Sequence, residues 1–377
     1  MVYYTETNYW DHDTIRTAHG KGRDDYFEVL RRMGFRCIKI PTVRTGNPHF
    51  ASERFTQERK LYRAWVKCTD NLGQGDILII HSPNSEKFLK YGSVIRRIRK
   101  RGCKIIVILF ELETFFWVDY ARFGRVKRAA AKHLESVLFK TADVIIAHND
   151  KMKEKLESIG VSGDKIVGVG VMDYLRDDPL DEGLCRKRIT RNGPVVLCSN
   201  LAPNKSVFAY DLPDCLRIDL YGPDYTGPIN DMVHYRGVYD PVELMDVMEG
   251  SFGLVWDSTS PDTCDGPFGE YMLFNNPHKI ALYLASGMPV IVWDKSAMAD
   301  FVRKEGCGFM VRRLSEIPEF TAKLSDADYE QMRSNAMRVG ADMRKGLHIK
   351  SAVEKAVQIL QPGYKDIQRG GELTTEK

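Results

Sequence analysis

The segment 252–293 reads FGLVWDSTSPDTCDGPFGEYMLFNNPHKIALYLASGMPVIVW and decides the fold of its half of the chain. It begins and ends with an apolar run of strand length, and a loop rich in Asp, Asn, Gly and Pro leads from the first run into a short helix. Asn276 is a good N-cap residue, Pro277 fits the first helical position, and Gly287 fits the position just after the helix. The segment therefore predicts a strand–helix–strand unit of a parallel α/β sheet.

The same alternation of strands and helices covers most of the 377 residues. A polar, charged stretch at 173–193 interrupts it, and we expect domains at 1–175 and 194–361, a linker at 176–193 and a disordered tail at 362–377. The last helix of the second domain could pack back against the first domain. Because ligands of such sheets bind at the carboxyl ends of the strands, the pattern predicts two Rossmann-like domains that face a cleft.

Apolar runs of strand length recur in both halves and alternate with helical patterns. In the first half we expect strands at 2–8, 36–41, 76–82, 104–111, 143–148 and 165–170. In the second half we expect strands at 194–199, 216–221, 232–236, 252–256, 289–293 and 308–311. The expected helices include 23–33, 52–69, 87–101, 121–140, 150–159 and one that opens at Asp240.

Composition argues against several classes of protein. A formal net charge of +4 is too small to indicate nucleic-acid binding. The eight cysteines form no CxxC pair, which argues against a zinc site and a disulfide framework. No apolar run reaches the roughly 18 residues of a spanning helix, and MVYYTETNYWDHD lacks the basic and apolar regions of a secretory signal. We therefore expect a cytoplasmic protein.

The helix that follows Asn276 is a candidate phosphate site. The backbone amides of His278 and Lys279 are expected at its start, where the helix-end partial charge favours an anion. With the ammonium group of Lys279 in the first turn, the helix start is suited to a diphosphate. The alternative is an ordinary capped helix whose Lys279 is solvated.

Two other loops carry residues suited to an anionic ligand. The stretch TAHGKGRDD opens a helix and offers Lys21 and Arg23, although a lone Gly-x-Gly is a weak pattern and a surface loop is the alternative. The loop after the first strand of the second half offers Asn200 and Lys205. Its position at a strand's carboxyl end places this loop in the cleft.

Carboxylates follow two of the predicted strands. Asp257 and Asp265 lie in the loop before the candidate phosphate site, where they could bind sugar hydroxyls, hold a metal or stay solvated. The loop contains no Asp-x-Asp pair, which makes a metal site less favoured. Glu111 and Glu113 end the strong strand at 104–111 beside aromatic residues, so either could serve as a general base or cap the next helix.

At these residues the sequence resembles a known family. GLVWDSTSPDTCDGPFGEY and the following FNNPHKIALYLASGMPVIVWDKSAMADF are similar to bacterial β-1,6-galactofuranosyltransferases of polysaccharide assembly. A more distant similarity relates them to the glucosyltransferases that extend GlcNAc on serine-rich adhesins. The resemblance is close over 250–313 and looser over 194–249, 143–175 and the TAHGKGRDD stretch.

The resemblance implies a GT-B fold, a UDP-sugar donor, inversion at the anomeric carbon, and neither a metal nor a cofactor. It implies that Asn276, His278 and Lys279 lie at the donor. It also implies that Tyr221, which ends a predicted strand, lies near the nucleotide; local pattern alone would equally allow this ring to close a turn.

This chain departs from the family pattern at two places. Where the family has Gly-Asn-Leu-Ser-Arg/Lys, positions 199–203 read SNLAP, so proline replaces the basic residue and Lys205 is the candidate substitute. Where the family often has His-Asp, this chain has Phe110 and Glu111, which keeps the acid and loses the histidine. We expect Glu111 to be the base and Asp24 to be the second candidate, with the choice of acceptor open.

The expected function is transfer of a hexosyl group, galactofuranose or glucose, from a UDP-sugar to a glycan acceptor. The alternatives are a nucleotide-sugar epimerase of the same fold and a non-catalytic sugar-binding subunit. If the acceptor is lipid-linked, the basic runs at 96–101 and 122–132 could hold the protein at anionic membrane, and a solvated helix face is the equal alternative. A homo-oligomer is not excluded by the sequence.

Overall fold

The computed structural model describes residues 1–7, 18–41, 51–82, 90–112 and 124–364. Within these residues the chain forms two parallel sheets, each of them 6-stranded and flanked by helices. The predicted fold of two Rossmann-like α/β domains is therefore confirmed. None of the described helices has the length and apolarity needed to cross a bilayer.

The first sheet has the strand order β2-β1-β3-β4-β5-β6, with all neighbours parallel. Its strands are β1 (Val2–Thr7), β2 (Arg36–Ile40), β3 (Ile77–Ser82), β4 (Lys104–Leu109), β5 (Val144–Ala147) and β6 (Ile166–Gly168). The helices described in this half are α1 (Ala18–Arg32), α2 (Ala51–Cys68), α3 (Tyr91–Lys100), α4 (Gly124–Thr141) and α5 (Asp150–Ser158).

The second sheet has the order β12-β11-β10-β7-β8-β9, again with all neighbours parallel. Its strands are β7 (Val195–Cys198), β8 (Ile218–Tyr221), β9 (Val233–Gly237), β10 (Phe252–Val255), β11 (Val290–Trp293) and β12 (Gly308–Val311). Its helices are α6 (Glu182–Arg188), α7 (Pro241–Val247), α8 (Gly266–Tyr271), α9 (His278–Ala285), α10 (Ala299–Glu305), α11 (Ile317–Lys323), α12 (Asp326–Lys345) and α13 (Leu347–Leu360).

The predicted strands all occur, within about two residues of their expected ends. The helix expected at Asp240 is α7, whose capping box joins Asp240 and Glu243. The predicted linker at 176–193 contains the short helix α6, and α13 packs against β5 and β6 of the first sheet. The domain boundaries themselves remain predictions, and residues 365–377 lie outside the described part.

Burial explains why these runs form the central strands. From Ile105 to Leu109 every residue of β4 is buried, and the four residues of β5 and of β10 are buried as well. Strands covered by helices on both faces need continuous apolar runs, and this requirement matches the sequence. The fixed strands in turn hold the loops at their carboxyl ends.

Each sheet has one point at which the strand order reverses, because β1 lies beside β3 and β7 lies beside β10. Ligands of doubly wound sheets bind outside such switch points. In the second domain the loops after β7 and β10 flank the start of α9. Helix α9 is held close to α12 because Gly340 has no side chain, and a Cβ there would lie 2.0 Å from the Leu284 carbonyl oxygen.

Candidate functional site

A cavity of about 420 Å³ lies between the two domains at the second switch point. The carboxyl ends of β4 and β5 line it on the first domain. The loops after β7, β8 and β10 and the start of α9 line it on the second domain. The cavity therefore depends on contacts that fix one domain against the other.

His148 makes one of these contacts. Its Nδ1 accepts a hydrogen bond from the Asn276 backbone N–H (3.1 Å), so the proton lies on Nε2, which donates to the Phe110 carbonyl oxygen (3.0 Å). The Asn276 side chain also donates to the Gly170 carbonyl oxygen (3.2 Å). Asn276 is thus bonded directly to the segments that follow β5 and β6, and it is linked to the end of β4 through the His148 ring.

Two more hydrogen bonds join the domains beside His148. Asn149 Nδ2 donates to the Asn275 carbonyl oxygen (3.0 Å), and the Tyr271 hydroxyl accepts from the Leu112 backbone N–H (3.0 Å). Tyr271 is 2 % exposed, so its hydroxyl satisfies a backbone group that is buried with it. Together with the contacts of Asn276, these bonds fix the turn at 271–276, which we call the interdomain turn.

The predicted start of α9 was wrong by one position. Pro277, rather than Asn276, is the N-cap residue, with extended backbone and no side-chain capping bond. The Asn276 side chain makes no capping bond to α9: its Nδ2 donates to the Gly170 carbonyl in the other domain, and its Oδ1 has no hydrogen-bond partner among the described residues. His278 and Lys279 nevertheless occupy the first turn and line the cavity as predicted. Gly287 follows the helix with a φ of 78°, as its prediction required.

Two lysines reach the cavity, one from the loop after β7 and the other from the first turn of α9. Lys279 Nζ donates to Asp257 Oδ2 at 2.6 Å, and the pair is largely shielded from solvent. Lys205 Nζ lies 3.3 Å from the ring centroid of Phe268. Burial lowers the pKa of Lys205, while the nearby Asp257 carboxylate opposes that shift. The cavity is thus a site where cations already lie close together before an anion binds.

Acceptor oxygens accompany these cations. Asp257 Oδ1 and Asn276 Oδ1 are buried without a hydrogen-bond partner among the described residues. Both residues line the cavity, and buried acceptors of this kind are suited to hydroxyl donors. Glu111 lines the cavity from the end of β4, close enough for its charge to affect the pKa of Lys205. Glu113 lies outside the described residues.

The nucleotide candidates lie on the second domain. Tyr221 ends β8, lines the cavity and has its ring centroid 6.0 Å from that of Tyr239. Asn200 also lines the cavity, and its side chain accepts from the Ala202 backbone N–H (2.9 Å). The two tyrosine rings and the loop after β7 therefore form one wall of the cavity.

The candidates in α1 lie outside the cavity lining. Lys21 bonds Asp25 and donates to the Leu175 carbonyl oxygen (2.8 Å), which ties α1 to the chain that leaves the first domain. Arg23 contacts the half-exposed carboxylate of Asp24 at 3.4 Å. Their proposed roles at the donor or as base would require a different arrangement of these side chains.

The glycine between Lys21 and Arg23 has a steric function. A Cβ at Gly22 would lie 1.9 Å from Cε1 of His278, so the histidine ring packs directly on the backbone of α1. Asp265 also lies outside the lining, where it accepts from the hydroxyls of Ser258 (2.8 Å) and Thr259 (2.6 Å). Its predicted contact with sugar stays a prediction, and its observed contacts shape the loop.

Sequence reasoning missed His148, Asn149 and Phe268 as site residues. His148 and Asn149 directly follow β5, at the strand end where cleft residues are expected, and that position was an available signal. Phe268 could not be singled out, because its partner Lys205 comes from a loop more than sixty residues earlier in the sequence.

Two family descriptions match this chain. Residues 1–171 match the N-terminal domain of the glucosyltransferase 3-like family, and residues 195–356 match its C-terminal domain. The chain belongs to this glucosyltransferase 3-like family. The similarity to glycosyltransferases expected from the sequence is therefore confirmed, and so is the GT-B fold.

Individual relatives agree with the family. WbbI of Escherichia coli K12, a β-1,6-galactofuranosyltransferase, is 29% identical over 288 residues, which are 76% of this chain and 80% of WbbI. Glucosyltransferase 3 of Streptococcus gordonii is 25% identical over 338 residues, or 89% of this chain and 92% of the relative. The structure of sucrose-phosphate synthase from Thermosynechococcus elongatus has the same fold, with a TM-score of 0.60, 12% identity and coverage of 96% and 99%.

The neutral state of His148 generates a pH prediction for this glucosyltransferase 3-like chain. Burial lowers the pKa of His148 from 6.5 to about 4. Below pH 6.5 the unfolded chain therefore binds a proton that the folded chain does not, and the free energy of unfolding decreases as the pH falls towards 4. Above pH 6.5 the imidazole is neutral in both states and has no such effect. His148→Gln can keep both hydrogen bonds and does not titrate. Relative to this variant, wild type should lose up to about 3 kcal/mol of unfolding free energy across that range.

Urea unfolding of both proteins between pH 7.5 and 4.5 measures this difference. The remaining titratable groups are the same in the two proteins, so their contributions cancel in the difference between the two free energies of unfolding. A difference that does not change with pH would contradict a neutral His148 in the folded protein.

Proposed function

We propose that this protein transfers a hexosyl group from a UDP-sugar to a glycan acceptor, with inversion and without a metal ion. The observation that carries the proposal is the convergence of Lys205 and Lys279 at the start of α9, with the Glu111 carboxylate in the same interdomain cavity. The named relatives make galactofuranose the first candidate for the sugar and glucose the second.

The lining of the cavity favours one orientation of the donor on the second domain. Its uracil and ribose would lie against Tyr221 and Tyr239, because these rings form the apolar wall of the cavity. Its diphosphate would then reach the first turn of α9, where the backbone amides and Lys279 favour an anion. The sugar would lie at the unpaired oxygens of Asp257 and Asn276, which can accept from its hydroxyls.

Charge on the leaving UDP grows as the bond to the sugar breaks. A cation that contacts the diphosphate therefore stabilises the transition state more than the bound donor. Lys279 is held by Asp257 in the structure, so the carboxylate keeps this ammonium in the cavity until a phosphate competes for it. Two lysines and the helix start supply the neutralisation that a divalent metal provides in other enzymes. Among described residues there is no group of three or more His, Cys, Asp or Glu suited to a metal.

Glu111 is the proposed general base. It enters the cavity from the end of β4 on the first domain, across from the donor residues of the second domain. In an inverting displacement the acceptor hydroxyl attacks from the face opposite to the leaving group, so the base must lie on the acceptor side. Asp24 is the second candidate, although its side chain is half-exposed and lies outside the lining.

If the acceptor is lipid-linked, we propose that the protein contacts anionic lipid at the cytoplasmic face of the membrane. Arg96, Arg97, Arg99 and Lys100 are exposed on α3, and carboxylates at Asp70 and Asp143 neutralise part of this charge. In the basic run at 122–132, residues 122–123 lie outside the described residues. Sedimentation with liposomes at low salt tests the contact, and equal partition to neutral and anionic vesicles would exclude it.

Transfer itself is tested by incubation with UDP-galactofuranose or UDP-glucose, with and without glycan acceptors, in excess EDTA. We expect UDP release that requires an acceptor and persists in EDTA. Release without an acceptor, together with a changed sugar, would indicate an epimerase, and binding without release would indicate a sugar-binding subunit. Activity that EDTA abolishes and Mg²⁺ or Mn²⁺ restores would contradict the metal-free mechanism.

Lys279→Ala should weaken UDP binding and reduce turnover by a larger factor. Hydrogen bonds to charged groups contribute about 1.5–3 kcal/mol, and the leaving charge increases during transfer. The variant leaves the largely shielded Asp257 carboxylate without its ion-pair partner, so circular dichroism and the thermal midpoint must first verify that it is folded. Calorimetry with UDP and steady-state kinetics on the folded variant measure both effects. If affinity and turnover both stay at the wild-type level, the donor does not bind at this helix start.

Glu111→Gln should retain UDP binding and lose most of the transfer. The amide has the shape of the carboxyl group but cannot accept the acceptor proton, and a general base typically contributes about 10²–10⁴-fold. Comparison of UDP affinity with turnover separates the two effects. A near-normal rate would assign the base elsewhere, first to Asp24 or Glu113.

A further inference from the structure

The ammonium group of Lys205 rests on an aromatic ring. Lys205 lies in the loop after β7, and Phe268 lies in α8, which follows the neighbouring strand β10. The 3.3 Å distance from Nζ to the ring centroid is well within the range of a cation–π contact. Both side chains line the cavity, so the contact belongs to the proposed donor site.

The charges around Lys205 explain why its position needs support. Lys279 repels the ammonium, Asp257 and Glu111 attract it, and burial disfavours its charge. Asp257 is already bonded to Lys279 at 2.6 Å. A lysine side chain also loses considerable rotamer freedom when it is held in one place. The Phe268 ring therefore supplies a contact that holds the charged form without a second carboxylate.

An aromatic partner leaves the lysine chemically available. A carboxylate partner would occupy an N–H of the ammonium and would repel a phosphate, as Asp257 does beside Lys279. The face of a phenyl ring attracts the cation through its quadrupole and takes no strong hydrogen bond. With the ring on one side of Nζ, the remaining N–H donors are left for an oxygen anion in the cavity.

We propose that Phe268 is a positioning residue that holds the Lys205 ammonium for the diphosphate of the donor. This inference rests on the proposed function, because it assumes that a nucleoside diphosphate binds in the cavity. It also gives a physical reason for the SNLAP sequence at 199–203. Proline removes the basic side chain from that stretch, and Lys205 with its aromatic support supplies a cation from the same loop.

The experiment compares the affinities of UDP and of uridine, by calorimetry, for wild type, Phe268→Leu, Phe268→Tyr and Lys205→Met. Phe268→Leu keeps an apolar side chain and removes the ring face, so UDP affinity should fall about tenfold while uridine affinity stays constant. Phe268→Tyr keeps the ring face and should bind UDP nearly as wild type does. In the Lys205→Met background, Phe268→Leu should have little further effect, because the residue through which it acts is absent.

A matched control is Phe55→Leu. Phe55 is exposed on α2 and has Arg59 over its ring at a distance of 5.8 Å, but it does not line the cavity, so both affinities should remain unchanged. Equal losses of UDP and uridine affinity in Phe268→Leu would overturn the inference, because the ring would then only pack against the nucleoside. Additive effects of Phe268→Leu and Lys205→Met would overturn it as well.

The two proposals fail in different ways. If wild type binds UDP and transfers sugar but Phe268→Leu retains full UDP affinity, only the role of Phe268 is wrong. If wild type itself binds neither UDP nor a UDP-sugar, the proposed function is wrong, and the inference falls with it. Circular dichroism and thermal midpoints of each variant verify that the compared proteins are folded.

Discussion

A neutral imidazole joins backbone groups from two domains in this protein. His148 accepts from the Asn276 N–H and donates to the Phe110 carbonyl, and both bonds require that the ring carry a single proton. Because the ring is buried, a lost bond would leave a polar group without water, which typically costs about 1–3 kcal/mol. Asn149 and Tyr271 add bonds to the same turn. The geometry of the cavity depends on this small set of contacts, since the residues of the proposed donor site, His278 and Lys279, follow immediately after it.

The interdomain turn connects the structure of the first domain to the chemistry of the second. Helix α9 starts two residues after Asn276, so the bonds to Asn276 also position His278 and Lys279. The contact between His278 and Gly22 has the same effect from α1. Domain packing and the proposed donor site therefore share a few residues, and side chains with structural hydrogen bonds lie in the wall of the cavity.

The two lysines of the cavity have partners of different chemistry. Lys279 is bonded to Asp257, whereas Lys205 rests on the ring of Phe268, so one cation is held by an acid and the other by an aromatic face. In a low-dielectric cavity these interactions are stronger than they would be in water. Two like charges thus lie near each other although only one of them has a direct carboxylate partner, an arrangement suited to an anionic ligand.

The sequence by itself determined the two parallel sheets and the strand positions, because these follow from apolar periodicity in neighbouring residues. From helix-end chemistry it also predicted a phosphate site at the start of α9, which stays a prediction. It also indicated Glu111, Lys205 and Lys279, which are strand-end or helix-start positions. Only the tertiary structure decided that Asn276 bonds the other domain instead of capping α9, that Lys21 bonds the distant Leu175 carbonyl, and that Asp265 bonds its own loop. The pairing of Lys205 with Phe268 and the role of His148 depend on which loops meet across the sheets, and no local pattern encodes that proximity.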